Sequence, residues 1–215
     1  MVRAILDGRK TVTRRVIRYK YSNTEMKMRT DKYGTRLIEI QKDIKGETYG
    51  KNPDGSTWHK LLPYIERNPP YKKWDILYVR ETFQKFPRYR IGEYPTQGNS
   101  DRKPAGWDYV YKTDNWNPDE KWIPSIHMPK EAARIWLRVT DVRVERLQEI
   151  DGNGCIAEGI ELEALNEVGE EFVKGIFHDI WDSTIKKPDL DLYGWDANPW
   201  IWVIDFDRCE RPEVI

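Results

Sequence analysis

The fold of the first part of this chain is determined by one stretch of eight residues, Gly8-Arg9-Lys10-Thr11-Val12-Thr13-Arg14-Arg15. Before it, residues 1–7 place their apolar side chains on one face of a short helix. Gly8 predicts the end of that helix, because glycine takes the left-handed conformation of a helix C-cap at little cost. The threonines and valine that follow favour an extended strand. The stretch therefore predicts a helix-to-strand turn that brings Lys10 close to Thr13.

Further along the chain, alternation of apolar and polar residues predicts strands at 35–41, 75–82, 107–112, 134–147 and 199–206. The strand at 75–82 has few polar residues and is expected to be buried. In the strand at 134–147 the alternation changes phase near Thr140 and Asp141, which predicts a β-bulge or bend. Helices are predicted at 151–160 and 170–185. The segments 20–34, 84–106 and 118–129 predict loops or irregular structure, so the chain as a whole predicts an α+β fold.

Composition limits the class of protein. The 215 residues suit one domain, and 39% hydrophobic with 33% charged residues indicates a polar, folded chain. No apolar run is long enough to cross a bilayer, and the start of the chain is not typical of a signal peptide. Two cysteines, Cys155 and Cys209, are expected to be reduced thiols rather than a disulfide. These features predict a cytoplasmic protein without a membrane partner.

Charge is distributed unevenly along the chain although the net charge is zero. Residues 1–30 contain nine Lys or Arg and two Asp or Glu, whereas residues 141–215 contain seven and nineteen. A basic N-terminal face suits a phosphate-bearing partner, although two oppositely charged surfaces could also serve only to solvate the domain. The ten tryptophans and twelve tyrosines could stack on bases, and core packing is the alternative.

The opening stretch resembles the signature G-x-K-x-x-T-x-R of the ASCH family. Four residues match it position for position: Gly8, Lys10, Thr13 and Arg15. Three later blocks are similar to the G-D-x-L-x-V-x-E strand, the helix-end glutamate and the closing strand of that family, namely Asp75–Glu81 (with Trp74 in place of the usual glycine), Ala157–Ile160 and Trp202–Phe206.

The resemblance implies a PUA-like β-barrel with short helices and loop insertions. It implies a single domain over 1–215, with insertions near 84–129 and 161–196. Blocks at 124–129 and 195–200 resemble a longer branch encoded by phages and prophages, which would place the protein in a bacterial host cytoplasm. Family members begin with a strand before the first helix, whereas this sequence begins inside the helix. We expect either that this strand is lost, so that one edge of the barrel differs, or that translation starts upstream of Met1.

The resemblance also implies catalytic roles. In ASCH proteins that hydrolyse N(4)-acetylcytidine, the signature lysine accepts a proton, the threonine is the nucleophile and the helix-end glutamate donates a proton. The matching residues are Lys10, Thr13 and Glu158. The chemistry is coherent, because a hydroxyl needs a base and a lysine can be that base when desolvation or nearby cations lower its pKa. The alternative is a structural ion pair between Lys10 and Glu158.

Six further residues are expected to bind substrate: Gly8, Arg14, Arg15, Glu81, Ser125 and His127. The arginines would form a positive rim around the pocket. Glu81 ends the strand that is expected to be buried, so the alternative is a salt bridge with Arg80 or Arg15. His127 could act as a base or contact a base, and the alternative is a histidine bonded to backbone.

Three functional hypotheses remain open. The first is binding of a nucleobase, nucleotide or RNA, with amide hydrolysis on an acylated, cytidine-like nucleoside as its enzymatic form. The second is a non-catalytic RNA- or DNA-binding module of a phage or prophage. The third is RNA cleavage with Lys10 and His127. The sequence has no C-x-x-C, H-x-H or H-E-x-x-H spacing, so neither a metal nor a cofactor is expected.

Overall fold

The computed structural model describes residues 1–22, 24–32, 34–41, 49–51, 57–59, 65–89, 104–114, 121–161 and 169–213. The protein is a mixed α+β structure with a curled antiparallel sheet, shaped as a half-barrel, and a few short helices. The predicted α+β class is therefore confirmed. The sequence Asn-Pro-Asp-Gly-Ser at 52–56 predicts a turn, and these residues lie outside the described ones.

The described strands are β1 (Val12–Val16), β2 (Thr24–Asp31), β3 (Gly34–Gln41), β4 (Tyr49–Lys51), β5 (Thr57–His59), β6 (Ile65–Glu66), β7 (Ile76–Tyr78), β8 (Phe83–Arg88), β9 (Gly106–Tyr111), β10 (Trp136–Arg146) and β11 (Trp200–Cys209). The described helices are α1 (Val2–Leu6), α2 (Gly152–Ala157), α3 (Glu170–Thr184) and α4 (Leu190–Tyr193). Short 3-10 turns lie at Ser125–His127, Lys130–Ala132, Leu147–Glu149 and Lys187–Asp189.

The main sheet has the strand order β1-β11-β10-β7, and all its pairs are antiparallel. The last strand in sequence, β11, thus lies between the first strand and β10. The register of β10 against β11 shifts between Val139 and Asp141. This irregularity confirms the bulge that the change of phase predicted, and such a bulge increases the local bend of a sheet.

Five described strands lie where the sequence predicted none: the short strands β4, β5 and β6, and the longer β2 and β8. The polar stretch 20–34 contains β2, which pairs with β3 along its whole length, and the predicted loop 84–106 begins with β8, which pairs with β9. Only Met26 of β2 and Phe83 of β8 are buried. Hairpin strands with one buried side chain show almost no hydrophobic alternation, so their sequences do not indicate a strand.

The strand predicted at 75–82 is shorter and more exposed than expected. β7 has three residues and lies at the edge of the main sheet, where it pairs with the first residues of β10. Ile76 is 38% exposed. The expectation of a buried strand is therefore wrong, because an edge strand covers only part of its apolar surface. Trp74, just before β7, has a left-handed backbone with φ of 78° and is exposed.

The core is divided by the main sheet. On one face, α2 and α3 pack against Val12 and Val203, with Cys155, Phe177 and Trp181 among the buried residues. The opposite face packs Ile17, Met26, Leu37, Trp202 and Ile204. A third cluster joins Ile5 of α1 to Ile135, Leu137 and Phe206. The tryptophans at 136, 181 and 202 are buried, as core packing requires, whereas those at 74 and 107 are exposed.

Two further sequence expectations concern the class of protein. Among the described residues, no helix is long and apolar enough to span a membrane. Cys155 and Cys209 are both free, so they form no disulfide with each other, and Cys155 is buried.

Candidate functional site

The turn between α1 and β1 is held by backbone hydrogen bonds to α1 and α2. Gly8 has a φ of 75°, in the left-handed conformation that its place after the helix predicted. The amide of Lys10 donates to the carbonyl of Ala4 at 2.9 Å, and the amide of Thr11 donates to the carbonyl of Ala157 at 2.9 Å. These bonds place the side chain of Lys10 beside the C-terminal end of α2.

Lys10 and Glu158 form a buried ion pair across 148 positions of sequence. The side chain of Lys10 is 2% exposed and that of Glu158 is 10% exposed. Lys10 Nζ contacts the Glu158 carboxylate and also donates to the Glu158 carbonyl at 2.8 Å. Burial lowers the pKa of Lys10, the carboxylate of Glu158 partly opposes this effect, and the charges of Arg15 and Arg14 lower the pKa further.

Gly159 allows this close approach. Its φ is 93°, and a Cβ at this position would lie 2.9 Å from Cβ of Ala4 and 3.1 Å from Cβ of Lys10. A side chain would therefore meet both the left-handed backbone and the two residues that position the lysine. The Glu158-Gly159 pair thus provides both the carboxylate and the space in which Lys10 reaches it.

Thr13 lies within β1, opposite Ile204 of β11. Because side chains alternate along a strand, Thr13 and Arg14 belong to opposite faces of the sheet. Arg14 is on the face that contacts Glu158. Among the described residues, no hydrogen bond joins the Thr13 hydroxyl to Lys10 or Glu158. The structure therefore brings together Lys10 and Glu158, two of the three predicted catalytic residues. Strand alternation places the third, Thr13, on the face of the sheet opposite Arg14.

Arg14 is a buried cation with incomplete hydrogen bonding. Its side chain is 4% exposed, and Nη1 lies 3.6 Å from Glu158 Oε1 and donates to the carbonyl of Gly154 at 3.3 Å. Within the described part of the chain, Arg14 Nε and Glu158 Oε1 have no hydrogen-bond partner. Arg14 lines a concavity of about 470 Å³ whose other charged walls are Arg143 and three carboxylates, at Glu145, Glu149 and Asp151. This cavity has mixed charge rather than a positive rim.

A second concavity has a volume of about 370 Å³. Its charged lining residues are Arg15, Arg18 and Arg67, and its aromatic lining residues are Tyr71 and Trp202. No carboxylate is among its described lining residues. Arg18 pairs with Asp189 at 2.9 Å and Arg67 pairs with Glu39 at 3.3 Å. The side chain of Arg15 is exposed and makes no hydrogen bond or ion pair with any described residue. Of the predicted binding residues, Arg15 therefore presents the least compensated positive charge.

Glu81 is 1% exposed and takes part in the ion pair that its burial required. Its partner is Arg134, however, and not Arg80 or Arg15 as expected. Arg134 donates to both carboxylate oxygens of Glu81 at 2.8 Å, and the Thr113 hydroxyl donates to one of them at 2.9 Å. The hydrogen bonds to Glu81 raise the pKa of Arg134, so the guanidinium stays charged. Glu81 therefore anchors a structural network and lines a separate cavity.

Ser125 and His127 occupy the 3-10 turn at Ser125–His127. His127 is exposed, and its amide donates to the carbonyl of Pro124 at 3.0 Å. Ser125 lines the same cavity as Glu81, whereas His127 and Lys10 line none of the three cavities described. Lys10 is buried in its ion pair with Glu158, whereas His127 is exposed. Among the described residues, the two side chains therefore do not face one phosphate, as the RNA-cleavage hypothesis requires. Gly8 is exposed at its turn.

Glu39 and Arg67 are functional candidates that the sequence did not indicate. The side chain of Glu39 is fully buried. It accepts hydrogen bonds from the amides of Lys20 and Tyr21 and from the hydroxyl of Thr24. Burial alone would raise the pKa of Glu39, but these hydrogen bonds and the charge of Arg67 outweigh it and lower the pKa. The available signal was a single glutamate among the apolar residues of a strand.

Comparisons with protein-family models, curated proteins and solved structures found no match to this chain. Among the described residues, no group of three or more His, Cys, Asp or Glu side chains could hold a metal ion. We therefore infer function from the charges, cavities and contacts of the described residues themselves.

Proposed function

We propose that the protein binds RNA or a nucleotide through the concavity of Arg15, Arg18, Arg67, Tyr71 and Trp202. The observation that carries this proposal is the composition of that concavity: three arginines and two aromatic rings line it, and no carboxylate does among the described lining residues. Guanidinium groups bind phosphate oxygens in a bidentate geometry, and aromatic faces stack on bases. A polyanion with exposed bases satisfies both kinds of group.

The charge balance at this concavity favours a phosphate ligand. Arg18 is held by its ion pair with Asp189, and Arg67 is held by its ion pair with Glu39. These two arginine side chains therefore lose little conformational freedom when a ligand binds. Arg15 has no competing intramolecular partner among the described residues. A bound phosphate would therefore compensate a charge that the protein leaves open. The geometry of this site supports binding more directly than it supports cleavage of the ligand.

We extend the proposal to the family. The chain would be an ASCH protein with a PUA-like barrel, of the branch encoded by phages and prophages, acting in the cytoplasm. The curled antiparallel sheet is compatible with a barrel. Trp74 gives further support, because its φ of 78° lies in the region that favours glycine, and the family signature has glycine at this place.

Binding of a short labelled RNA, followed by fluorescence anisotropy at several salt concentrations, tests the proposal. We expect affinity to fall steeply as salt rises, because phosphate contacts release counterions. Arg15→Ala should weaken binding several-fold at low salt and reduce the slope of log K against log salt by about 0.7, the value for one phosphate contact on a single strand.

The matched control for this experiment is Arg138→Ala. Arg138 is an exposed arginine of β10 that lines none of the three cavities, so its removal changes net charge equally without touching the concavity. Salt-insensitive binding, or equal effects of the two substitutions, would contradict the proposed site.

Amide hydrolysis of an acylated nucleoside is a second candidate, and the contact between Lys10 and Glu158 favours it. In this scheme the neutral amine of Lys10 takes the proton of the Thr13 hydroxyl, Thr13 attacks the amide carbonyl, and Glu158 protonates the leaving amine. Water then hydrolyses the acyl-threonine ester, which releases the carboxylic acid and restores the Thr13 hydroxyl. The lowered pKa of Lys10 is in the direction that a base requires. Because Thr13 and Lys10 share no hydrogen bond among the described residues, this proton transfer requires one intervening water.

Hydrolysis assays with a panel of acylated nucleosides, including N(4)-acetylcytidine, test this candidate. Thr13→Val should abolish turnover while the protein stays folded, because valine matches threonine in shape. Lys10→Arg should also abolish turnover, since a guanidinium keeps the positive charge but does not accept a proton. Full activity in the arginine variant would exclude the base role, and no hydrolysis by the parent would leave the binding function alone.

A further inference from the structure

A separate cavity of about 250 Å³ lies where α1, the segment after β7, the residues after β9 and the 3-10 turn at Ser125–His127 meet. Its polar walls include two cations, Arg80 and Lys112, and the hydroxyl-bearing residues Thr82 and Ser125. The only carboxylate among its described lining residues is Glu81. Neither the proposed RNA site nor the Lys10–Glu158 pair contributes a residue to it.

The negative charge of Glu81 is already compensated. Arg134 donates to both of its oxygens and the Thr113 hydroxyl donates to one, so the carboxylate has little capacity left for a ligand. Arg134 also pairs with Asp114, which does not line the cavity. The charge that remains at the cavity wall is therefore that of Arg80 and Lys112.

Within the part of the chain that the structure describes, these two cations have no carboxylate partner. Arg80 Nη1 donates to the carbonyl of Ile126 at 3.3 Å and Nη2 donates to the hydroxyl of Tyr78 at 3.2 Å, and both acceptors are neutral. Lys112 makes no side-chain hydrogen bond or ion pair with any described residue. Arg3 lies close by, because its Nη2 donates to the carbonyl of Thr113 at 3.3 Å. The environment therefore carries uncompensated positive charge.

The cavity wall is held in place before any ligand arrives. The bond from Arg80 to the Ile126 carbonyl fixes the turn that carries Ser125, and the buried amide of Glu81 contacts Met128 Sδ at 2.9 Å. The amide of Lys112 donates to the carbonyl of Thr82 at 3.0 Å. This bond joins the residues after β9 to the segment after β7. A preformed wall reduces the conformational entropy that binding costs.

We propose that this cavity binds the phosphate group of a phosphomonoester. Arg80 and Lys112 would compensate its charge, and the hydroxyls of Thr82 and Ser125, which have no hydrogen-bond partner among the described residues, would donate to its oxygens. The volume exceeds that of one phosphate, so the first part of the ester substituent also fits, against the apolar side chain of Val2. This site is independent of RNA binding at Arg15.

Isothermal titration of the full chain with inorganic phosphate and with ribose 5-phosphate tests the proposal. We expect both probes to bind, ribose 5-phosphate more tightly. Lys112→Ala and Arg80→Ala should each weaken binding by about 10-fold or more, in line with the loss of a charge-assisted hydrogen bond. Lys186→Ala is the control, because Lys186 is an exposed lysine outside all three cavities, and its affinity should equal that of the parent.

Arg15→Ala separates this site from the proposed RNA site. If the cavity binds phosphate, Arg15→Ala leaves the affinity for ribose 5-phosphate unchanged even if it weakens RNA binding. Loss of phosphate binding in Arg15→Ala would place the ligand in the other concavity and overturn the proposal. Absence of binding at millimolar concentration, or parental affinity in both cavity variants, would overturn it as well.

Discussion

Single residues at the ends of α1 and α2 connect parts of the chain that lie far apart in sequence. A lysine as buried as Lys10 loses its hydration, and the carboxylate and carbonyl of Glu158 replace the lost contacts with water. Removing one member of a buried pair leaves the other charge without compensation, which typically costs about 3–5 kcal/mol. Lys10 is therefore a structural residue.

Gly159→Ala should destabilise the protein by about 1–3 kcal/mol, because alanine would adopt a strained positive φ and its Cβ would press on Ala4 and Lys10. Urea unfolding followed by tryptophan fluorescence measures this change. Gly175→Ala in α3 is the matched control, since a Cβ there meets nothing within 4 Å, and it should stabilise by up to about 1 kcal/mol. Equal effects of the two substitutions would show that the space beside Lys10 is not tight.

At the scale of elements, a buried carboxylate helps to attach the hairpin of β2 and β3 to the segment after β1. Glu39 of β3 accepts hydrogen bonds from the amides of Lys20 and Tyr21 and pairs with Arg67. These bonds connect three separate parts of the chain around one buried charge. Such a network positions Arg67 at the wall of the proposed RNA site.

Glu39→Gln should lower stability at neutral pH by about 1–3 kcal/mol, because the amide cannot accept as many hydrogen bonds as the carboxylate. The pKa of Glu39 is lowered in the folded protein, so the unfolded chain binds more protons as the pH falls from 4.5. Its stabilisation is complete above pH 4.5 and is lost as the pH falls through the folded pKa.

Urea denaturation between neutral and acid pH measures both effects, and the variant should show a weaker loss of stability below pH 4.5 than the parent. Glu131→Gln, at an exposed carboxylate, serves as control and should remain within about 0.5 kcal/mol of the parent at every pH. Identical acid dependence in the parent and the Glu39 variant would contradict the role assigned to Glu39.

At the scale of the whole molecule, Cys155 reports on the integrity of the fold. It is buried where α2 and α3 pack on the sheet, and burial raises the pKa of its thiol to about 11. In a Cys209→Ser variant, reaction with a thiol reagent at pH 8 should therefore proceed only as fast as the protein opens. Mass spectrometry measures the rate, and added urea should increase it steeply. Reaction as fast as that of the partly exposed Cys209 in the parent would contradict a closed core.

The sequence predicts those parts of the fold whose burial repeats along one element. The amphipathic helix α3 and the long strand β10 with its bulge show this periodicity, and the structure confirms them. The turn at Gly8 was predicted instead from the left-handed conformation that glycine adopts easily, and the structure confirms it as well. The strands β2 and β8 were missed because each buries a single side chain and depends on its hairpin partner.

The site was predictable only in part, for a related physical reason. Local pattern does not indicate which residues meet across long stretches of sequence. The contact between Lys10 and Glu158 followed from the family resemblance rather than from spacing. The partners of Glu81 and Arg67, at Arg134 and Glu39, depend on how hairpins pack against the sheet, and no local signal indicates such contacts.

The position of β11 between β1 and β10 has a consequence for synthesis on the ribosome. The strand β1 leaves the exit tunnel early, but its partner in the ladder is made only when residues 200–209 are translated. Until then β1 has no β11 backbone to pair with. The strand β10 also lacks β11, which pairs with it along most of its length in the folded protein. Exposed strand edges invite pairing with other chains. The nascent protein therefore depends on late closure of its sheet, and slow translation prolongs the interval in which it can aggregate.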